Sequence, residues 1–148
     1  MGHSNHAADK LVALLREHDV KLVVDVRSTP FSRWVPQANR EALSATLREA
    51  GIDYLCLGNE LGGKPQGMVA DYAQLRESRH FQQGIAALIE RAEQVRTVIM
   101  CSEGDHRKCH RYLLITPVLE EMGASVLHIQ PDGSIVDESR EPKQLTLF

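Results

Sequence analysis

The sequence has few cysteines, no long apolar run and no excess of positive charge. Three cysteines among 148 residues are too few, and odd in number, for a disulfide framework, so we expect reduced thiols in the cytoplasm. No apolar run approaches the length of a membrane-spanning helix and no secretory signal is visible, so we expect no membrane partner. The net charge of -3 argues against a protein that coats nucleic acid non-specifically, although it is compatible with a local cationic pocket.

Strand and helix patterns alternate along the chain. Short apolar runs predict strands over residues 21–26, 52–57, 97–101 and 125–129. Apolar residues at helical spacing predict helices over residues 7–18, 39–50, 82–94 and 109–122, the last kinked by Pro117, with a shorter one over 72–77. The alternation predicts an α/β fold: a single three-layer, Rossmann-like domain with a mainly parallel sheet and helices on both faces. We assign this domain to residues 1–133, and a polar linker with a C-terminal tail to residues 134–148.

Polar segments follow each predicted strand, after residues 26, 57, 100 and 129. In a parallel sheet, ligands bind beyond the carboxyl ends of the strands, so these segments should meet at one edge. The residues expected there are Asp25, Arg27, Gly62, Gly63, Cys101, Glu103, His110 and His128.

Residues 101–111 concentrate reactive side chains between two apolar segments. The spacing from Cys101 to Arg107 matches the loop of cysteine phosphatases, in which backbone N–H groups surround a phosphate. Glu103 and Asp105 make this loop acidic, however, and no hydroxyl follows the arginine, so we interpret the spacing as coincidental.

Two further interpretations concern the thiols. Cys101, Glu103, Cys109 and His110 are metal-ligand types, but the close Cys-x-x-Cys pair of zinc fingers is absent, and we predict no metal ligands. Alternatively, Cys101 is a nucleophile, since it lies near His110 and a cationic side chain. A buried thiol that only packs is equally compatible with the pattern, as we expect for Cys56.

Cationic side chains are frequent in the proposed edge loops. With the close backbone approach that Gly62 and Gly63 permit, they suggest an anionic small molecule or nucleotide as ligand. A structural network in which neighbouring carboxylates neutralise these cations is the alternative. The cations are Arg27, Arg33, Lys64, Arg107, Lys108 and Arg111.

Several short motifs together resemble a bacterial and archaeal family, domain of unknown function 488. The motifs are Gly-His-Ser-Asn at residues 2–5, Asp-Val-Arg-Ser at 25–28, Leu-Gly-Gly at 61–63, and Cys-x-Glu-x5-Cys-His-Arg at 101–111. The resemblance implies a compact α/β domain whose motif loops, with His3, Ser4 and Ser28 among them, gather in one pocket. It implies no reaction or cofactor, and its cysteine-to-arginine anchor is Arg111. Members carry a short strand before the Gly-His-Ser turn, whereas this sequence begins at the turn.

The C-terminal tail carries a second resemblance. After a polar segment the chain ends in Gln144, Leu145, Thr146, Leu147 and Phe148, which resembles the pentapeptide by which bacterial proteins dock on the DNA sliding clamp. An extended segment that offers a glutamine amide and apolar anchors to a groove suits such binding. Folding of Leu147 and Phe148 back onto their own domain is the alternative.

We therefore expect a ligand pocket recruited to DNA metabolism by the tail. In it, Arg27 and Arg111 hold an anionic group, and Cys101 is the nucleophile with Glu103 or His110 as acid/base partner. Cys109 is expected to be a resolving thiol or a packing residue. The competing hypotheses are a cysteine- or metal-dependent metabolic enzyme for a phosphorylated small molecule, without a DNA link, and a pure adaptor.

Overall fold

The computed structural model describes residues 1–65, 68 and 70–138, so the four predicted clamp-binding residues, Gln144, Leu145, Leu147 and Phe148, lie outside it. The strands are β1 Leu22–Asp25, β2 Asp53–Cys56, β3 Thr97–Met100, β4 Leu127–Ile129 and β5 Ile135–Asp137. The α-helices are α1 Ala8–Glu17, α2 Arg40–Glu49, α3 Gly58–Leu61, α4 Tyr72–Glu77, α5 Arg79–Gln94 and α6 Thr116–Glu121. None of the helices in these ranges combines the length and the apolar character needed to cross a membrane.

The first three strands form a parallel sheet in the order β2-β1-β3. In the central strand, Val23 lies opposite Tyr54 on one side and Val98 on the other. All of β1 is buried, which explains why the strand is apolar up to its last residue, Asp25. The predicted α/β fold is confirmed.

Each face of the sheet has its own core, because successive side chains of a strand point to opposite faces. Leu22 and Val24 belong to the core that α5 covers through Phe81 and Ile85. Val23 belongs to the core that α1 and α2 cover, and each leucine buried there contributes about 1.5–3 kcal/mol. The three-layer arrangement with helices on both faces is therefore confirmed.

The fourth predicted strand exists but does not join this sheet. In the described part of the chain, β4 pairs with β5, antiparallel, so the expectation that β4 belongs to the parallel sheet is wrong. The segment after β4 nevertheless contacts the loop after β3, since the amide of Gln130 lies 3.0 Å from Nδ1 of His106. The cause of the β4–β5 pairing is a local turn: Gly133 adopts φ +89°, and the N–H of Gln130 donates to the carbonyl of Ser134 at 2.8 Å. β5 lies just beyond residue 133, where the sequence predicts the start of the linker.

The N-terminal residues extend the outer side of β3. Gly2 pairs in parallel with Cys101, and the N–H of His3 donates to the carbonyl of Cys101 at 2.8 Å. A Cβ on Gly2 would lie only 1.7 Å from the carbonyl oxygen of Glu103, so no other residue fits there without displacing this backbone. The first residues thus hold the loop that follows Cys101.

The predicted helix over residues 109–122 is interrupted. A π-helical segment, Arg111–Ile115, precedes α6, and the hydroxyl of Thr116 donates to the carbonyl of Arg111 at 2.7 Å. Pro117 lies in the first turn of α6, where its missing N–H costs little. The irregularity expected from the proline is thus a widened turn immediately before it.

Candidate functional site

A cavity of about 320 Å³, called the site pocket below, lies where the loops after β1 and β3 meet. These loops follow the carboxyl ends of their strands, as predicted for a parallel sheet. The predicted site residues that line the pocket are Arg27, Ser28, Gly63, Cys101, Glu103, Cys109 and His110.

Cys101, Cys109 and His110 form the most compact group in the pocket. Nδ1 of His110 lies 3.7 Å from Sγ of Cys101 and 3.8 Å from Sγ of Cys109. The three atoms all lie within 4.8 Å of one another, and both cysteines are buried and free. The meeting of the β3 end with the residues that begin the next helix produces this cluster.

Two contacts hold the His110 ring. Its Nε2 donates to the carbonyl of Val26 at 2.9 Å, which leaves the lone pair of Nδ1 directed at the sulfurs in the neutral ring. A Cβ added at Gly63 would lie 2.7 Å from Cβ of His110, so any residue with a side chain at position 63 would clash with His110. The imidazole is therefore set as a proton acceptor or metal ligand toward both thiols.

The two thiols differ in acidity because each affects the other. The hydrogen bond with Cys109, together with contact with His110, lowers the pKa of Cys101 despite its burial. The same bond with Cys101, followed by burial, raises the pKa of Cys109. The pair therefore favours a single thiolate, on Cys101.

Asp25 and Arg27 form a buried ion pair beneath the pocket. Nη2 and Nε of Arg27 donate to the two carboxylate oxygens of Asp25 at 2.7 and 2.9 Å. The hydroxyl of Tyr54 also donates to Asp25, and Nη1 of Arg27 contacts Nε2 of His3 at 3.1 Å. Burial, followed by the bond with Asp25, raises the pKa of Tyr54. Arg27 lines the pocket, but Asp25 compensates its charge.

A second cavity of about 430 Å³ adjoins the pocket and shares Arg27 and Glu103 with it. His3 and Ser4 line this second cavity rather than the site pocket. Gly62 lies behind the pocket wall, where an added Cβ would be 2.3 Å from Oγ of Ser28.

Arg111 is not in the pocket. It is buried, its Nη1 donates to the carbonyl of Glu103 at 3.0 Å, and it lines a separate cavity beside the outer side of β3. Its Nε and Nη2 have no hydrogen-bond partner among the described residues. The structure does not bring Arg111 together with Arg27, and its role in ligand binding stays a prediction.

Arg107 also lies away from the pocket. It is exposed, and its Nε donates to a carboxylate oxygen of Glu138 at 2.8 Å. It therefore does not complete a phosphate-binding loop around Cys101, in line with the interpretation of that spacing as coincidental.

The sequence did not assign several pocket-lining residues to the site: Thr29, Lys64, Tyr72, Ser102 and Lys108. Lys64 and Lys108 belong to the predicted edge cations, and their positions next to Gly63 and Cys109 are the available signal. Tyr72 has no such signal, because it begins α4 and is not part of a predicted edge loop. Burial, followed by the nearby thiols, raises its pKa.

Comparison with known proteins confirms the resemblance to the family. A family model described as "Domain of unknown function DUF488" matches residues 7–117. No curated protein and no solved structure matches the chain. The chain belongs to the DUF488 family.

Proposed function

We propose that this member of the DUF488 family is a thiol-dependent enzyme that acts on a small anionic substrate in the site pocket. The observation that carries the proposal is the pairing of Cys101 with His110. The sulfur lies 3.7 Å from Nδ1, and the carbonyl of Val26 holds the other ring nitrogen. A nucleophile beside a base that a third group orients is the arrangement of covalent catalysis.

The chemistry follows from this pairing. Cys101 first gives its proton to Nδ1 of His110, and the resulting thiolate sulfur then bonds to an electrophilic carbon or phosphorus of the substrate. The bond to the leaving group breaks, and the leaving group takes the proton from His110. Water then adds its hydroxyl to the product and returns a proton to the sulfur through His110. Glu103 lines the same pocket and is the second candidate for these proton transfers.

The pocket walls favour an anionic ligand of modest size. A cavity of about 320 Å³ lies at the small end of the range for ligand sites. Lys64 and Lys108 contribute two ammonium groups, the second of them 3.8 Å from the carboxylate of Asp105, and Glu103 contributes one carboxylate. Ser28 and Ser102 supply hydroxyl groups. A phosphorylated small molecule or a nucleotide fragment suits this balance of charge.

Ligand binding can be tested by thermal shift with inorganic phosphate, sugar phosphates and nucleoside monophosphates. We expect at least one of these to stabilise the protein, and Lys64→Ala and Lys108→Ala each to weaken its binding by about 5-fold, roughly 1 kcal/mol. Lys10→Ala, on an exposed position of α1, is the matched control and should leave binding unchanged. Equal weakening by all three variants, or no stabilisation by any ligand, would refute the anionic pocket.

We further propose that the C-terminal pentapeptide recruits this activity to the DNA sliding clamp. The support is the sequence pattern of residues 144–148 behind a polar segment. Deleting residues 144–148 should abolish binding to purified clamp, whereas Lys10→Ala should not. If the intact and the truncated chain bind the clamp equally, or if the intact chain does not bind it, clamp recruitment is refuted. The pocket proposal is then that of a metabolic enzyme without a DNA link. Both proposals place the protein in the cytoplasm, where thiols stay reduced.

A further inference from the structure

We propose that Cys101, Cys109 and His110 also form a binding site for one thiophilic divalent cation, best matched by Zn²⁺, with a fourth coordination position open to the site pocket. The proposal goes beyond the thiol chemistry above and does not depend on it, because metal binding is measured directly.

The spacing of the three ligand atoms carries the proposal. Around a tetrahedral Zn²⁺, with Zn–S of about 2.3 Å and Zn–N of about 2.0–2.1 Å, a sulfur and a nitrogen lie about 3.6 Å apart and two sulfurs about 3.8 Å apart. The observed separations from Nδ1 are 3.7 and 3.8 Å, and all three atoms lie within 4.8 Å. Small side-chain adjustments would therefore close the three ligands around an ion.

The surroundings of His110 fit a metal ligand. A coordinating imidazole usually donates its other N–H to a carbonyl or carboxylate, which fixes the tautomer and the ring direction. Here the carbonyl of Val26, at the end of the central strand, accepts from Nε2 at 2.9 Å. Gly63 packs against His110, so the protein itself fixes the orientation of the imidazole without an ion.

The donor set favours Zn²⁺ over Mg²⁺ or Ca²⁺. Two thiolates and an imidazole suit a borderline-soft cation, whereas the hard cations prefer oxygen ligands. Two thiolate charges also neutralise a divalent cation, which lowers the cost of burying it.

The fourth position distinguishes this site from a structural zinc site. The cluster contains three ligand groups among the described residues, and all three line the pocket. Water or a monodentate anionic ligand from the pocket can complete the tetrahedron, as in sites with three protein ligands. Bound metal occupies the Cys101 lone pairs, so the metal-bound form and the nucleophilic form exclude each other.

Cobalt titration of the full chain, reduced and stripped with a chelator, tests the site. One equivalent of Co²⁺ should produce a thiolate-to-cobalt charge-transfer band and the intense visible absorption of tetrahedral coordination, and Zn²⁺ should displace it. Cys109→Ala and His110→Gln should each weaken Zn²⁺ binding by more than about 100-fold, beyond the effect usual for supporting residues. Cys56→Ala, which removes the half-buried thiol of β2, is the matched control and should bind as the native chain does.

Far-ultraviolet circular dichroism establishes whether each variant is folded. If Cys109→Ala does not fold, His110→Gln alone provides the test. Weak octahedral spectra, binding well below one equivalent, or unchanged affinity in a folded ligand variant would overturn the metal site. Zn²⁺ should also protect Cys101 from alkylation. Alkylation of Cys101 that is rapid and insensitive to Zn²⁺ would refute the metal site alone, while slow alkylation without metal would refute only the nucleophile.

Discussion

The rings of His106 and His128 stack face to face, with centroids 4.2 Å apart and planes 13° apart. Both rings are buried, and each makes a T-shaped contact with the ring of Tyr112. Glu138 lies 3.3 Å from Nε2 of His106, and the Gln130 amide lies 3.0 Å from its Nδ1. The stack therefore joins the β4–β5 hairpin to the loop between Cys101 and Cys109.

This stack predicts that the protein loses stability in mild acid. Burial, followed by the neighbouring His106, lowers the pKa of His128 from 6.5 to about 4. The unfolded chain therefore binds a proton at a higher pH than the folded one, and His128 destabilises the fold as pH falls from about 6.5 to 4. The loss should be about 2 kcal/mol by pH 5.

Urea unfolding at pH 7 and pH 5 measures this contribution when the native chain is compared with His128→Phe, which keeps a ring in the stack. The native chain should lose about 2 kcal/mol more than the variant between these pH values. Equal losses would show that His128 does not titrate differently on folding.

The buried pair of Asp25 and Arg27 predicts a large and specific stability loss. Asp25→Asn leaves a buried guanidinium without its counter-charge and should lower the free energy of unfolding by about 3–5 kcal/mol. Asp19→Asn removes the exposed pair with Lys21 and should leave the free energy of unfolding nearly unchanged. Chemical unfolding of both variants at neutral pH gives the comparison, and similar small losses would mean that water reaches the Asp25 site.

The contact of Gly63 with His110 predicts a link between packing and the site. In Gly63→Ala the new methyl must displace the imidazole or the loop, which should cost about 1–3 kcal/mol. It should also slow alkylation of Cys101 by about 10-fold, because Nδ1 no longer faces the sulfur. Gly104→Ala is the matched control. Its new methyl would lie 3.3 Å from its nearest neighbour, a side-chain atom of Pro131, so the free energy of unfolding and the alkylation rate should both change little. An unchanged alkylation rate in Gly63→Ala would show that the reactivity of Cys101 does not depend on the position of the His110 imidazole.

Local sequence patterns predict the strands of the parallel sheet and the position of the pocket. The apolar run over residues 21–26 predicts a strand of a mainly parallel sheet, and the polar segment after it predicts the place of the pocket. Cys101 follows β3 directly and His110 precedes the next helix, so their meeting is expected from the parallel sheet.

Other features depend on contacts that no local pattern encodes. The pairing of Gly2 with Cys101 joins residues far apart in the chain. The β4–β5 hairpin is a different case, because its turn is local, but its second strand lies in a segment that the sequence assigns to the linker. Arg111 begins a π-helical segment instead of the predicted regular helix, and it lies outside the pocket expected to contain it. A widened turn changes which side chains face the same way and has no signature in residue type.

The relative reactivity of the three thiols tests the central claim most directly. Reduced, metal-free protein is treated briefly with iodoacetamide, and the label on Cys56, Cys101 and Cys109 is quantified by peptide mass spectrometry. The account predicts that Cys101 is labelled first, and that His110→Gln slows its labelling by at least about 10-fold while leaving that of Cys56 unchanged. Equally slow labelling of all three cysteines, or no effect of His110→Gln, would contradict it.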